Sequence, residues 1–146
     1  MATIEELMQE WDNDSTIDDN HVDRESVNTP KLHAKYIRYL IQAKLKNTKL
    51  HNDYNELKKT KFRYYRGELT RDELIELGWS QYQYAKPLKN EMEQILEGDI
   101  DLNAIKVKLE YIGSMIYLLE SILSQIKARD WQLRNVTDWK KFISGA

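Results

Sequence analysis

The sequence predicts an all-α protein: two long antiparallel helices forming a hairpin, with several short helices beside them. Three observations carry this. Only five glycines and two prolines interrupt 146 residues. No breaker falls between Pro30 and Gly67, which leaves room for one helix of about 36 residues, roughly 54 Å long at 1.5 Å per residue. After Asp101 the residues Leu102, Ile105, Leu109, Ile112, Ile116, Leu119, Leu123 and Ile126 recur at alternating steps of three and four. That is a heptad seam.

Each element has its own signal. Thr3, with Glu6 three residues on, forms a capping box that opens a helix to about Trp11, with Ile4, Leu7, Met8 and Trp11 on one side. Residues 12–28 are polar and acidic, read as irregular, and complete an acidic N-terminal segment, 1–28. Thr29 suits a cap and Pro30 a first helical position, so a long basic helix is expected over 30–66. Its apolar stripe begins at Leu32, Tyr36, Tyr39, Leu40 and Ala43 and continues through Leu50, Tyr54, Leu57 and Lys61. Thr70 and Glu73 make a second capping box before RDELIEL, which Gly78 stops. GWSQYQYA is an aromatic connector, and Pro87 opens another short helix ending at Gly98, so 70–97 holds short helices. The heptad helix is expected over 102–130, and a last short helix over 137–144 from Thr137. The whole, 1–146, reads as a single helical domain.

Beside the heptad seam lies a second stripe, Tyr111, Met115, Leu118 and Ile122. Two broad stripes on two long helices exceed what one thin hairpin can cover. The second stripe, with Trp139 and Phe142 near the C-terminus, is therefore expected to face another copy of the chain. The alternative is that both stripes are core beneath the short helices.

Composition narrows the function classes. Cysteine is absent, which removes disulfides and thiolate metal sites and fits a reducing cytoplasm. No apolar run approaches the ~20 residues of a membrane span, and the acidic start lacks the order of a signal peptide. His21, His33 and His51 show no metal-ligand spacing, and DNDSTIDD resembles a calcium loop in composition only. No phosphate-binding loop and no nucleophile elbow occurs. No catalytic residue, metal or cofactor is expected.

The net charge of −2 conceals an asymmetry. Residues 1–30 hold nine acidic and one basic side chain, and residues 31–66 hold eleven basic and two acidic. Such a contrast points to a polyanion partner or to an internal acidic–basic contact. The acidic segment is expected either to meet a basic partner surface, to fold over a neighbour's basic helix, or to remain a solvated tail. The stretch KKTKFRYYRG, Lys58 to Gly67, holds five cations and three aromatic rings in ten residues. On a helix Lys59, Arg63 and Arg66 fall within about 60° of one another, a row that can follow a phosphate backbone. Tyr64, Tyr65 and Phe62 offer rings that can stack on unpaired bases, at ~1–3 kcal/mol per base. Lys61 sits on the apolar stripe, where it either snorkels or points into a groove between subunits. The alternative is structural: cations complementing a helix C-terminus, and rings covering the turn against Leu74, Leu77 and Trp79. The candidate DNA-binding set is Lys58, Lys59, Lys61, Arg63, Arg66, Tyr64 and Tyr65. A helical scaffold without a DNA role is the competing reading.

The order of several segments resembles one family nearly end to end. They are IEELMQEWDNDSTIDD, ESVNTPKLHAKYIRYL, KKTKFRYYRGEL followed by ELIELGW, DIDLNAIKVKLEYI, and SQIKARDWQLRNVTDWKKFISG. Together they resemble the UvsY family of phage recombination mediators. The resemblance implies a ring-like homo-oligomer, hexamer or heptamer, that binds single-stranded DNA in the cytoplasm of the infected bacterial host. It also implies that this oligomer helps load a RecA-like phage recombinase (UvsX) onto strands coated by the phage single-stranded-DNA-binding protein, without catalysis. It puts the DNA-binding cations just before the tyrosine pair and glycine, at Lys59 and Lys61. Helical spacing agrees on Lys59 and adds Arg63 and Arg66. Where the family usually has arginine, Lys61 lacks the bidentate fork, so phosphate contact is expected more than base reading.

Overall fold

The computed structural model describes residues 1–145; residue 146, the end of the expected domain, lies outside them. Among the described residues there are six helices and no strand: α1 (Ile4–Asp14), α2 (Val22–Tyr65), α3 (Arg71–Leu77), α4 (Lys89–Glu97), α5 (Ile100–Lys127) and α6 (Arg129–Ile143). The all-α expectation holds. These helices gather into two compact units, Met1–Leu45 with Gly113–Ala146, and Lys46–Ile112.

In the first unit, the expected capping box is present. Thr3 Oγ1 accepts from the Glu6 amide at 3.1 Å, and Glu6 Oε2 accepts from the Thr3 amide at 3.0 Å. The helix runs three residues beyond Trp11 because its acidic end has partners. Asp14 accepts from Lys35 Nζ at 2.6 Å and from the Tyr36 hydroxyl at 2.8 Å. Glu10 accepts from the Tyr39 hydroxyl at 3.0 Å. Leu7, fully buried, enters a core with Tyr36, Leu40, Ala43, Leu119 and Leu123, and Trp11 meets Tyr36 edge-on at 5.5 Å. Part of the acidic segment is thus bound to the basic helix of its own chain.

The long helix starts eight residues before Pro30, where sequence signals placed a first turn. Proline lacks the amide that would bond the Ser26 carbonyl, an interior defect worth about 3 kcal/mol. Tertiary contacts override it. Arg129, at 2% exposure, donates from one terminal nitrogen to Glu25 Oε2 at 2.5 Å and to the Glu25 carbonyl at 3.3 Å. Its Nε donates to Thr29 Oγ1 at 3.2 Å. One buried guanidinium therefore clamps the helix on the turn before the proline. Thr137 does not open a new helix; its hydroxyl bonds back to the Leu133 carbonyl at 3.0 Å, and α6 begins at Arg129.

The second stripe of α5 divides. Met115 and Ile122, at 1% and 2% exposure, lie inside the first unit's core and offer no surface to another copy. The expectation for these two is corrected, because α1 supplies the cover that a bare hairpin lacks. Leu118 is half-buried against that core, and Tyr111, in the second unit, remains exposed. On α6, Trp139 stacks on Phe142 at 5.6 Å, and both are exposed, with Trp131 and Ile143.

In the second unit, Met92, Leu96 and Leu102 form a small core with Tyr54, Leu57 and Tyr65 packed on it. Gly67, at φ +70°, ends α2; there the Glu68 amide reaches back to the Arg63 carbonyl at 2.9 Å, a left-handed cap that glycine adopts without steric cost. α3 matches its expected RDELIEL and stops at Gly78. α5 starts two residues before the expected Leu102, because Asp99 Oδ1 accepts the Leu102 amide at 3.0 Å and caps the helix.

Arg129→Met should leave Glu25 without its buried partner and destabilise the protein by roughly 3 kcal/mol. Hydrogen exchange should locate the loss first in the amides of residues 22–29, ahead of Pro30. Uniform protection across α2 in this variant would show that the clamp does not hold the helix start.

Candidate nucleic-acid interface

The last three turns of α2 hold the basic stretch, and the structure divides its side chains into committed and free. Lys61 is the most committed. At 6% exposure it is buried, with Nζ 2.7 Å from Asp101 Oδ2 and 3.1 Å from Asp99 Oδ2. The same ammonium lies 4.3 Å from the Trp79 ring centroid and 5.7 Å from that of Tyr64. It neither snorkels nor presents its charge to a strand, which corrects the expectation of a phosphate contact there. The cause is its position on the apolar stripe: a charge turned toward a core must meet counter-charges.

Asp99 is the second member of this node. Its Oδ2 also accepts from the Tyr65 hydroxyl at 2.5 Å. Burial raises its pKa, but the Tyr65 hydroxyl, the Leu102 amide and Lys61 together bring it below the ordinary 3.8. For Lys61 burial acts downward, and the two carboxylates reverse this to a net rise above 10.5. Burial and the hydrogen bond to Asp99 both hold the Tyr65 phenol above its ordinary 10.0. All three groups keep the charge state they have near neutrality.

The rings are also engaged. Tyr64 meets Trp79 at 5.3 Å, Tyr65 at 5.2 Å and Tyr82 at 5.9 Å, each edge-on. Its hydroxyl donates to the Ser80 carbonyl at 2.6 Å. Tyr64 and Tyr65 are half-buried; Tyr64 covers the turn against Trp79, as the structural alternative had it, whereas Phe62 is exposed. Arg63 spends its fork on Glu73, at 3.1 and 3.3 Å, and this pulls the Glu73 carboxyl below its usual range. Arg66 is paired with Glu68 at 3.0 Å. Lys58 and Lys59 differ: both are exposed, and neither has an ion-pair partner among the described residues.

Sequence reasoning missed the roles of Asp99, Asp101 and Glu73 as partners of the cations. Lys61 on an apolar stripe was the available signal: it required a carboxylate nearby without saying which. Among the described residues no three His, Cys, Asp or Glu side chains gather as metal ligands, and no helix is long and apolar enough to cross a membrane.

Asp99→Ala should destabilise the protein by about 3 kcal/mol in urea unfolding, since Lys61 loses one of two buried partners. Adding Lys61→Met should cost less than the sum of the single changes; additivity would mean the two residues are not coupled. The pH dependence has a definite sign. The lowered Asp99 stabilises above its ordinary 3.8, and that contribution is lost as pH falls through its folded value. The raised Lys61 and Tyr65 stabilise below 10.5 and 10.0, and their contribution is lost as pH climbs through their folded values. Unfolding free energy should therefore be level between these limits and fall on both sides, and the alkaline fall should shrink in Tyr65→Phe.

Comparison with known proteins agrees with this architecture. The family model described as "Recombination, repair and ssDNA binding protein UvsY" matches residues 10–146. The recombination protein uvsY of Enterobacteria phage T4 is 25% identical over 142 residues, covering 97% of this chain and 98% of its own. A crystal structure of the bacteriophage T4 recombination mediator protein UvsY superposes with a TM-score of 0.82 at 24% identity, covering 99% of both chains. A second crystal form gives 0.79 at 23% identity, covering 97% and 98%. These likenesses establish a shared fold, and the family match extends over nearly the whole chain: it belongs to the UvsY family of recombination, repair and single-stranded-DNA-binding proteins.

Proposed function

We propose that this chain is a recombination mediator. It binds single-stranded DNA non-specifically as a homo-oligomer and promotes loading of a RecA-like phage recombinase (UvsX in the family) onto DNA coated by single-stranded-DNA-binding protein. The observation that carries the reading is the exposed, uncommitted pair Lys58 and Lys59, set one turn before an ion-pair and aromatic node. A free lysine approaches phosphate as a point charge, and each neutralised phosphate releases counterions.

The reading includes the α2–α5 hairpin and its assembly into a ring, hexameric or heptameric. Support for the hairpin lies in the opposite chain sense of contacts within each unit. In one, Lys44 meets Glu120 and Glu25 meets Arg129, two residues beyond the end of α5; in the other, Tyr54 meets Lys106 and Lys61 meets Asp101. Support for assembly lies in the exposed apolar residues of α6, Trp139 and Phe142 with Trp131 and Ile143. A ring repeats a weak lysine pair in every subunit, and linked weak sites bind a long strand far more tightly than a short one.

Lys58→Ala with Lys59→Ala should weaken binding of a labelled oligonucleotide several-fold. By anisotropy across salt concentrations, the salt slope should fall by about 0.7 per lost phosphate contact. An unchanged slope would overturn the placement. Trp139→Ala with Phe142→Ala should lower the mass in sedimentation velocity and abolish the preference for long strands. An intact oligomer would move the interface elsewhere.

A further inference from the structure

The second unit carries a pocket that the lysine pair does not use. It has a volume of about 450 Å³. Its apolar wall is Phe62, Leu88 and Met92, with Pro87 beside them. Its charged rim is Arg66, Lys86 and Lys89. Phe62 and Leu88 are exposed, at 39% and 64%. Lys86 and Lys89 are exposed and have no ion-pair partner among the described residues. The Arg66 guanidinium lies over the Phe62 ring, 5.3 Å from its centroid. Its buried Nε has no hydrogen-bond partner: Glu68 lies at ion-pair distance but out of line for a hydrogen bond.

We infer that this pocket seats one unpaired nucleobase of a single-stranded nucleic acid, with the flanking phosphates on Lys86 and Lys89. This rests on the single-strand-binding reading above and deepens it by adding base contact, which Tyr64 and Tyr65 do not supply because they are packed on each other and on Tyr82. Three features select a nucleobase. An aromatic ring beside a guanidinium plane gives two flat surfaces of the kind on which bases stack. Three cations border an apolar wall, the complement of a base between phosphates. And the pocket continues the row of free lysines: Lys58 and Phe62 on α2, and Arg66 in the turn that extends it through an amide bond to the Phe62 carbonyl, follow at four-residue steps on one side, each advancing roughly 6 Å along the axis. A strand held at Lys58 and Lys59 reaches the pocket without changing helix face.

The test compares two probes, an oligothymidylate and an abasic strand of equal length, by anisotropy across salt concentrations. Phe62→Leu keeps the wall apolar and removes the ring. It should weaken the base-bearing strand about fivefold or more, from the energy of one stacked base, leave the abasic strand unchanged, and keep the salt slope. Lys86→Ala with Lys89→Ala should weaken both strands and lower the slope. Matching melting curves establish that the variants fold. Wild-type binding that neither variant alters overturns the pocket while sparing the proposed function, and leaves the groove to an acidic, apolar peptide. Absence of wild-type binding to either strand at low salt overturns both.

Discussion

An ammonium turned into a protein core must be matched by negative charge at close range, and Lys61 imposes that requirement on the second unit. Its Nζ is met by Asp101 and Asp99. Asp99 in turn caps α5 through the Leu102 amide and accepts the Tyr65 hydroxyl. One ionic node therefore fixes the start of one helix, the end of another and the orientation of a tyrosine. Such a pair contributes little net stability over a well-packed apolar substitute, yet removing one partner is costly, because the remaining charge stays buried. Its effect is to hold geometry: the turn beyond α2 cannot drift while the charges are matched.

The same division of charge recurs in the first unit, where Arg129 holds Glu25 and Thr29. There it overrides a proline that by local rules ends or begins a helix. Local sequence signals state what a segment does when left alone. A buried guanidinium donating to a side-chain carboxylate, a backbone carbonyl and a hydroxyl outweighs the missing amide hydrogen bond.

This explains what was legible in the sequence. The capping box at Thr3, the Thr70 N-cap and the glycine stops at Gly67 and Gly78 are decided within a few residues, and they occur where the pattern put them; at Thr70 Glu73 bonds the hydroxyl rather than the backbone amide. The heptad periodicity of α5 is equally local, and its Leu102, Leu119 and Ile126 are buried. The start of α2, the continuity of α6 and the burial of Met115 and Ile122 depend on contacts between segments far apart in sequence, and no spacing reveals those. In the candidate interface, clustering of the cations was visible, but which of them are spent on carboxylates was not: Glu73 and Asp99 are separated from Arg63 and Lys61 by turns whose path the pattern leaves open.

The residue types left free carry an argument of their own. The forks of Arg63 and Arg129 are taken by Glu73 and Glu25, and Arg66 is paired with Glu68. What α2 leaves unpaired in its basic stretch is lysine. A guanidinium rewards one geometry, since its donors are fixed in a plane; an ammonium is a hydrated point charge on a flexible stem and accepts phosphate from many directions. A surface of free lysines therefore gains counterion release without requiring register, so a strand can shift along it at little cost. In the proposed function the protein holds DNA and then yields it to another protein, and such a role needs that tolerance. Arginines held by carboxylates and lysines left free would meet both demands of the proposed function, because the scaffold keeps its shape while lysine contacts to a strand are individually weak and exchangeable.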